Sequence, residues 1–363
     1  MVELTQERSH SVQIGAGDRR AKAARLRVVL IVALILAMLL GLGWGAAGDT
    51  DVPRALAAGL GLSEASLRDM TIVWDIRMPR VLTATLVGAA LAVSGAVMQG
   101  LFRNPLADPG LVGVSAGAGF GAVAAIVLGG LLPAALAALA GPYLVPFAAF
   151  LGGWASTLIL YRIATRGGQT SVATMLLAGI ALGALTGALT GFIVYKADDN
   201  QLRDLTFWGM GSVAGATWAK IMVAGPIILA ALLCAPFLAR SLDALALGEP
   251  VARHMGIDTQ RMKRIAIVAV AASVGASVAI TGGIGFVGIV VPHLLRLLQG
   301  PEHRNLLPNA ALLGAVVLLL ADMVSRIAVA PAELPIGIVT ACLGGPFFLW
   351  ILLKNRALLE GDR

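Results

Sequence analysis

The chain has 363 residues, of which 58% are hydrophobic and only 13% are charged, and its mean hydropathy is +0.88. Soluble proteins average about 25% charged residues, so this composition excludes a soluble globular protein and indicates a polytopic membrane protein. The net charge of +7 lies in short loops and at the termini, without a basic stripe interleaved with aromatic residues. It therefore does not favour nucleic acid as a partner.

Unbroken apolar runs of about 20 residues predict helical spans, whereas a β-barrel would show short alternating segments. Residues 1–27 are polar and basic, and we expect a disordered cytoplasmic tail. A cleaved signal peptide is the rival interpretation, but the apolar run that follows is too long for one. Ten spans are predicted at about 28–47, 81–101, 111–130, 141–162, 172–194, 218–238, 264–282, 284–299, 306–328 and 335–353.

These spans form one predicted transmembrane domain, 28–353, which is followed by a cytoplasmic tail, 354–363. An even number of spans places both termini on the same side of the membrane. Each internal loop holds Arg or Lys, and this bias places that side in the cytoplasm.

A polar bend separates the second and third spans. Pro105 and Pro109 each remove a backbone donor and disfavour helix at the preceding residue. The two apolar runs must therefore be separate helices. Beyond the bend, glycines recur at every fourth residue from Gly113, which predicts a face for close helix packing. The fifth span carries a similar glycine series, which predicts a groove for a neighbouring helix.

The bend and its flanks resemble the signature of the permease subunits of binding-protein-dependent importers for ferric siderophores, heme and cobalamin. The matching residues are Gly95, Gln99, Asn104, Pro105, Leu106, Ala107, Pro109, Gly113 and Gly117. Further matches extend from about Ile76 to the C-terminus and include His293 and Arg296. The resemblance implies an all-α polytopic membrane protein with about ten transmembrane helices and type II ABC importer permease architecture. It also implies a location in the bacterial cytoplasmic (inner) membrane.

The resemblance further implies the partners of the chain. They are a second copy of itself in a homodimer, two cytoplasmic ATPase subunits that use ATP and Mg²⁺, and an external substrate-binding protein. The sequence contains no G-x-x-x-x-G-K-[ST] loop of its own. We therefore expect a transport subunit that is not an enzyme and binds no cofactor or metal.

The sequence lacks the residues that two other classes of membrane protein need. An intramembrane enzyme needs a metal or nucleophile constellation, and none is evident in the sequence. An ion-coupled secondary transporter normally keeps ionisable residues near the midplane, yet the spans are almost free of acids. The nearest candidate, Asp322, lies close to the outer end of the ninth span. Arg326 follows one turn later, which favours a local ion pair.

Residues 239–263 form the longest internal polar stretch and are predicted to be two short amphipathic helices at the inner surface. Gly248 breaks the stretch, and Pro250 suits the first turn of a new helix. The stretch resembles the family's docking segment for the ATPase subunit. The residues assigned to it are Leu245, Leu247, Gly248, Glu249, Ala252, Arg253 and Gly256.

The resemblance also assigns a cytoplasmic gate and a docking surface. The gate residues are Asn104 and Leu106 in the bend, and Gln169, Thr170, Ser171 and Thr174 in a loop that faces the same mouth by topology. Arg77, Arg80 and Arg326 lie at the outer ends of spans, where arginines commonly anchor at the interface. By resemblance, these arginines receive acidic residues of the binding protein.

The transported solute is inferred from two stretches, 197–218 and 300–308, which most resemble the heme-type members of the family. Heme is therefore the predicted solute, and ferric siderophore and cobalamin are the alternatives. Met98, Met175 and Met210 could offer soft contacts to a porphyrin, although methionines near spans more often serve packing.

Overall fold

The computed structural model describes residues 2–44, 50–133, 135–136 and 140–360. Over these residues the chain is almost entirely helical, with one hairpin of strands β1 (Thr165–Arg166) and β2 (Gln169–Thr170). The α-helices discussed below are α1 (Val2–Gly43), α2 (Val52–Gly59), α3 (Leu67–Met70), α4 (Met78–Phe102), α5 (Val114–Leu128), α6 (Leu144–Ala164), α7 (Val172–Val194), α8 (Asp199–Met210), α9 (Trp218–Ala246), α10 (Glu249–His254), α11 (Thr259–Thr281), α12 (Val287–Gln299), α13 (His303–Ile327) and α14 (Ile336–Glu360). A π-helical segment, Thr71–Arg77, joins α3 to α4.

Eight helical segments among the described residues are long and apolar enough to cross a membrane. They are Arg19–Gly43, Leu67–Phe102, Val114–Leu131, Gly141–Ala164, Val172–Val194, Trp218–Ala246, Thr259–Thr281 and His303–Ile327. Two shorter apolar helices, Val287–Gln299 and Ile336–Ile351, correspond to the two remaining predicted spans. The predicted all-α polytopic fold with about ten spans is therefore confirmed.

Helix α4 forms the centre of the bundle. The most apolar part of Leu67–Phe102 is 83% buried. A Cβ on Gly88 would lie 2.3 Å from the carbonyl oxygen of Gly314, and one on Gly95 would lie 1.9 Å from that of Gly288. Small residues allow backbones to approach this closely in membrane bundles, so α13 and α12 pack directly on α4.

The polar bend after α4 has the form that its prolines predict. Helix α4 ends at Phe102, and Arg103 adopts a left-handed φ of 49°. Asp108 accepts a hydrogen bond from Gly110 N at 2.7 Å, and burial raises the pKa of this carboxyl. Helix α5 begins only at Val114, so the two apolar runs are separate helices, as predicted.

The two predicted glycine faces have different surroundings. In α5, a Cβ on Gly121 would lie 2.1 Å from the carbonyl oxygen of Ala148, so α5 packs closely against α6. In α7, a Cβ on Gly187 or Gly191 would meet no atom of the described residues within 4 Å. The most apolar part of α7 is only 6% buried. Helix α7 therefore leaves its glycine face open in the described chain.

Residues 2–27 form the first part of a helix, whereas we expected a disordered tail. Helix α1 runs from Val2 to Gly43 with no break where the first span was predicted to start. Arg27 Nε donates to Asn309 Oδ1 at 3.1 Å, and Arg20 pairs with Glu302 at 3.2 Å. These contacts with α13, across 282 residues of chain, hold the basic stretch from Arg20 onward against the bundle.

Two segments outside the predicted spans differ from their predictions. The stretch 48–75, which the sequence predicts to be a polar external connection between the first two spans, contains α2, α3 and much of the π-helical segment, so helix continues from Leu67 into α4. The segment 239–263 is the end of α9, the short α10 and the beginning of α11, not a separate pair of helices. Helix α9 continues to Ala246 because Leu242 is buried and Asp243 accepts a hydrogen bond from His303 N at 2.9 Å.

Candidate functional site

Polar side chains gather at two opposite ends of the bundle. Helices α4 and α13 run antiparallel, because Gly100 lies against His303 at one end and Arg80 bonds to Asp322 at the other. We call the first the coupling end, since it carries α10. The second is the arginine end, which carries Arg77, Arg80 and Arg326.

Local sequence explains why α10 is a separate short helix between α9 and α11 at the coupling end. Gly248 has a φ of 110°, which glycine adopts at little cost, and it lets the chain turn sharply after α9. Pro250 occupies the first turn of α10, as predicted. Gly256 follows the helix with a φ of 78°, and Asp258 then caps α11 by accepting from Arg261 N at 2.9 Å.

Glu249 is the centre of a polar cluster at this end. Its carboxylate accepts hydrogen bonds from Lys263 Nζ at 2.8 Å, Arg253 Nη2 at 2.8 Å and Gln260 Nε2 at 3.0 Å. Burial alone would raise the pKa of Glu249, but the bonds from Lys263 and Arg253 outweigh it and lower the pKa below its usual value. The carboxylate is therefore ionised at neutral pH.

The loop assigned to the gate is the β1–β2 hairpin and the start of α7, and it lies against this cluster. Gln169 Oε1 accepts from Arg253 Nη2 at 2.9 Å and from Gln260 Nε2 at 3.2 Å. Thr170 N donates to Gln260 Oε1 at 2.8 Å, and Thr170 O accepts from Lys263 Nζ at 3.0 Å. The structure thus joins two groups of residues that the sequence analysis treated separately.

Ser171 and Thr174 form the cap of α7. Ser171 Oγ accepts from Thr174 N at 3.3 Å and from the Thr174 hydroxyl at 3.0 Å, and both residues are exposed. In the bend, Asn104 is exposed and its Oδ1 accepts from Leu106 N at 2.9 Å, a contact that fixes the turn. The structure places all four residues at the coupling end.

Sequence reasoning missed Gln260 and Lys263. Both lie in the first turns of α11, at the end of the stretch 239–263 that we predicted to be two short surface helices. Lys263 is buried, with only 4% of its side chain exposed. A lysine that opens an apolar helix needs a partner when it is buried, and that rule was the available signal.

The outer surface of the coupling end is partly apolar. Leu247, Val251 and Met255 are exposed, whereas Leu245 and Ala252 are buried and anchor the segment to the bundle. Leu247 and Met255 also line an open cavity of about 510 Å³ between α9, α10 and the start of α13. The segment therefore offers an apolar surface with charged neighbours.

At the arginine end, two arginines cap the C-terminus of α1. Arg77 Nη1 donates to Leu42 O at 2.7 Å, and Arg326 Nη1 donates to Gly41 O at 2.8 Å. The last carbonyls of a helix have no partner within the helix, and cations favour this end of the helix dipole. The two side chains therefore hold α1 to α4 and α13.

Asp322 joins the other charges at this end. It accepts hydrogen bonds from Arg80 Nε at 2.9 Å and Arg326 Nε at 2.9 Å, which confirms the predicted local ion pair with Arg326. Glu333 pairs with Arg80 Nη1 at 2.8 Å.

The three arginines are buried, contrary to the exposed position that docking to a partner protein implies. Carbonyl and carboxylate groups accept hydrogen bonds from each guanidinium, although Arg77 Nη2 is buried without a partner among the described residues. The docking role stays a prediction, and it requires these contacts to rearrange.

Two of the three methionines considered for solute contact lie in the core. Met98 and Met175 are buried, whereas Met210 is half-buried at the end of α8. Among the residues that the structure describes, no group of three or more His, Cys, Asp or Glu side chains could hold a metal ion.

Comparison with known proteins identifies the family. A profile of the FecCD transport family matches residues 29–354. The hemin transport system permease protein HmuU of Yersinia pestis is 44% identical over 336 residues, which cover 92% of this chain and 98% of the relative. The vitamin B12 import system permease protein BtuC of Citrobacter koseri is 44% identical over 333 residues, which cover 91% and 93%.

A solved structure has the same fold. It is a metal-chelate type ABC transporter in an inward-facing conformation, with a TM-score of 0.79 and 32% identity, and the match covers 91% of this chain and 99% of that chain. ABC importers of this kind carry their ATPase on a separate subunit, so this chain is the transport subunit. The chain belongs to the FecCD transport family and is a multi-span ABC importer permease of the bacterial inner membrane.

Proposed function

We propose that this permease carries heme across the inner membrane as one of two identical subunits. ATP hydrolysis on two separate cytoplasmic subunits drives the change between outward-open and inward-open states, and the solute crosses unchanged. The observation that carries the proposal is the coupling end, where an exposed, partly apolar segment is bonded directly to the hairpin assigned to the gate.

The coupling segment, residues 245–256, has a surface that suits a protein partner. Exposed Leu247, Val251 and Met255 stand beside the charged Glu249 and Arg253, and an apolar centre with a polar rim is typical of protein interfaces. We assign ATPase docking to this segment. The residues involved are Leu245, Leu247, Gly248, Glu249, Ala252, Arg253 and Gly256.

The translocation path needs a second copy of the chain. Helix α7 is long and apolar yet scarcely buried, and its glycine face is open. A small-residue face of this kind favours close packing of a membrane helix, and the helix that we place on it belongs to the second subunit. The inner mouth of the path is then gated by Asn104, Leu106, Gln169, Thr170, Ser171 and Thr174.

The choice of heme rests on local sequence. The relatives named for hemin and for vitamin B12 are equally identical to this chain, so overall similarity does not rank the solutes. The stretches 197–218 and 300–308 resemble heme-type members, which favours heme over cobalamin and ferric siderophore. An ion-coupled secondary transporter is less well supported, because Asp322 is paired with two arginines.

The substrate-binding protein is proposed to dock at the arginine end. Glu333 is the exposed member of the charged cluster there, with 41% of its side chain accessible. An acidic side chain of the partner would compete with Glu333 for Arg80.

Uptake into proteoliposomes tests the proposal. The permease is co-purified with its ATPase subunit, and heme-loaded binding protein is supplied on the side of the arginine end. ATP-dependent accumulation of heme supports both the class and the solute. If ATP hydrolysis is stimulated instead by cobalamin or a ferric siderophore with its binding protein, the assignment of heme is wrong but the importer class stands. Failure of any ATPase subunit to co-purify would contradict the importer assignment.

A further inference from the structure

Two side chains of α11, Lys263 and Gln260, each bond to both the coupling segment and the gate hairpin. Lys263 Nζ donates to Glu249 Oε2 at 2.8 Å and to Thr170 O at 3.0 Å. Gln260 Nε2 donates to Glu249 Oε1 at 3.0 Å, while its Oε1 accepts from Thr170 N at 2.8 Å. Both backbone polar groups of Thr170, its N–H and its C=O, are therefore bonded by these two side chains, which also bond to Glu249.

The burial of Lys263 makes this connection resistant to rupture. Only 4% of its side chain is exposed, and its hydrogen bonds to Glu249 and Thr170 O are charge-assisted, a class about twice as strong as neutral hydrogen bonds. A buried cation without a partner carries a large desolvation penalty. A displacement of Glu249 is therefore followed by Lys263 and the hairpin, because leaving the ammonium unpaired is less favourable.

The position of the connected groups gives this movement a direction. Glu249 is the first residue of α10, which presents Val251 and Met255 outward. Thr170 is the last residue of β2, and Ser171 caps α7 immediately after it. A shift of α10 is thereby delivered to the start of α7, the helix with the open glycine face.

We propose that Lys263 and Gln260 are positioning residues that transmit the displacement of α10 to the β1–β2 hairpin and the start of α7. The inference rests on the proposed function, in which α10 receives the ATPase subunit. The proposal assigns Lys263 and Gln260 no contact with the solute or with the ATPase. Their role is to make the β1–β2 hairpin move together with the coupling segment.

Thiol labelling tests transmission separately from docking. The two native cysteines are replaced in Cys234→Ala/Cys342→Ala, and Ala173→Cys, which lies outside the proposed gate residues, places a reporter at the exposed start of α7. Labelling by an impermeant maleimide is followed by the mass of the permease chain, with and without ATP, in the complete complex in nanodiscs. Lys263→Met and Gln260→Leu are compared with Arg261→Met, which removes an exposed charge from the same turn of α11.

In the reporter permease without further changes (the parent) and in its Arg261→Met variant, ATP changes the labelling rate at residue 173. In Lys263→Met and Gln260→Leu we expect this ATP-dependent change to fall about tenfold, a typical size for coupling between two sites. Co-purification of the ATPase and its ATP hydrolysis remain. An unchanged ATP response in both variants overturns the proposal, and so does loss of ATPase co-purification in both, which would assign the two residues to docking. If the parent itself retains no ATPase, it is the proposed function that fails.

Discussion

Replacing Asp322 with Asn tests whether buried charge holds the arginine end together. The Asp322 carboxylate is fully buried and accepts hydrogen bonds from Arg80 Nε and Arg326 Nε, each at 2.9 Å. Asp322→Asn preserves the shape of the side chain but leaves two buried guanidiniums with one fewer anion. Removing one partner of a buried ion pair costs about 3–5 kcal/mol, and we expect a loss of that size in the free energy of unfolding.

Glu333→Gln is the matched control, because it removes a carboxylate from the same cluster at its exposed edge. Glu333 bonds to Arg80 Nη1 at 2.8 Å, but 41% of its side chain is exposed. Exposed pairs contribute about 1 kcal/mol or less. The assay is unfolding in mixed micelles with increasing dodecyl sulfate, followed by tryptophan fluorescence. Equal losses in the two variants would refute the reasoning, since burial would then not set the contribution of each charge.

Four further predictions follow from the site and the packing. Glu249→Lys should leave ATP hydrolysis by the complex measurable while uptake into proteoliposomes falls at least about tenfold, and normal uptake would contradict the coupling role. The pKa of Glu249 is lower in the folded chain than its unfolded value of about 4.3. Its ion pairs therefore contribute to the free energy of unfolding above the unfolded pKa, and this contribution is lost as the pH falls through the folded pKa. Glu249→Gln should lose this part of the pH dependence in unfolding titrations. Gly121→Ala should destabilise the chain by about 1–3 kcal/mol through overpacking, because the added Cβ would lie 2.1 Å from Ala148 O, whereas Gly119→Ala, where the space is open, should not. Gly187→Leu should leave the unfolding of the single chain unchanged but reduce the dimer fraction in light scattering, and an unchanged dimer would remove the second copy from the α7 face.

Local features of the sequence predicted the spans and the bend after α4 correctly. The bend after α4 and the break at Gly248 depend on proline and glycine, whose backbone preferences act within one or two residues. The same holds for the close packing of α5 on α6, because a glycine at every fourth position marks a contact face whatever lies opposite. These features need no knowledge of the partner segment.

Contacts between distant segments could not be predicted in this way. Arg80 and Asp322 are 242 residues apart, and no local pattern reveals that the arginine is buried against that aspartate. The helical N-terminal extension has the same origin, because α13 supplies the partners of Arg27. Lys263 was placed at the end of the predicted surface helices, just before the seventh span, and only the fold shows that Glu249 and Thr170 are its partners.

The two polar ends of the permease hold their charges in different ways, and this difference bears on which end moves. At the arginine end, Asp322 is fully buried, and the guanidiniums of Arg77 and Arg326 bond to the last carbonyls of α1. Opening this cluster would leave several buried charges without partners at once, which has a large free-energy cost. At the coupling end, 30% of the Glu249 side chain is accessible, and the exposed Arg253 can exchange its bonds with water at little cost. The buried Lys263 meanwhile keeps α10 and the hairpin together. A bundle built in this way favours rearrangement of the hairpin and α10 as one unit, because rearranging the buried arginine contacts at the opposite end has a larger free-energy cost.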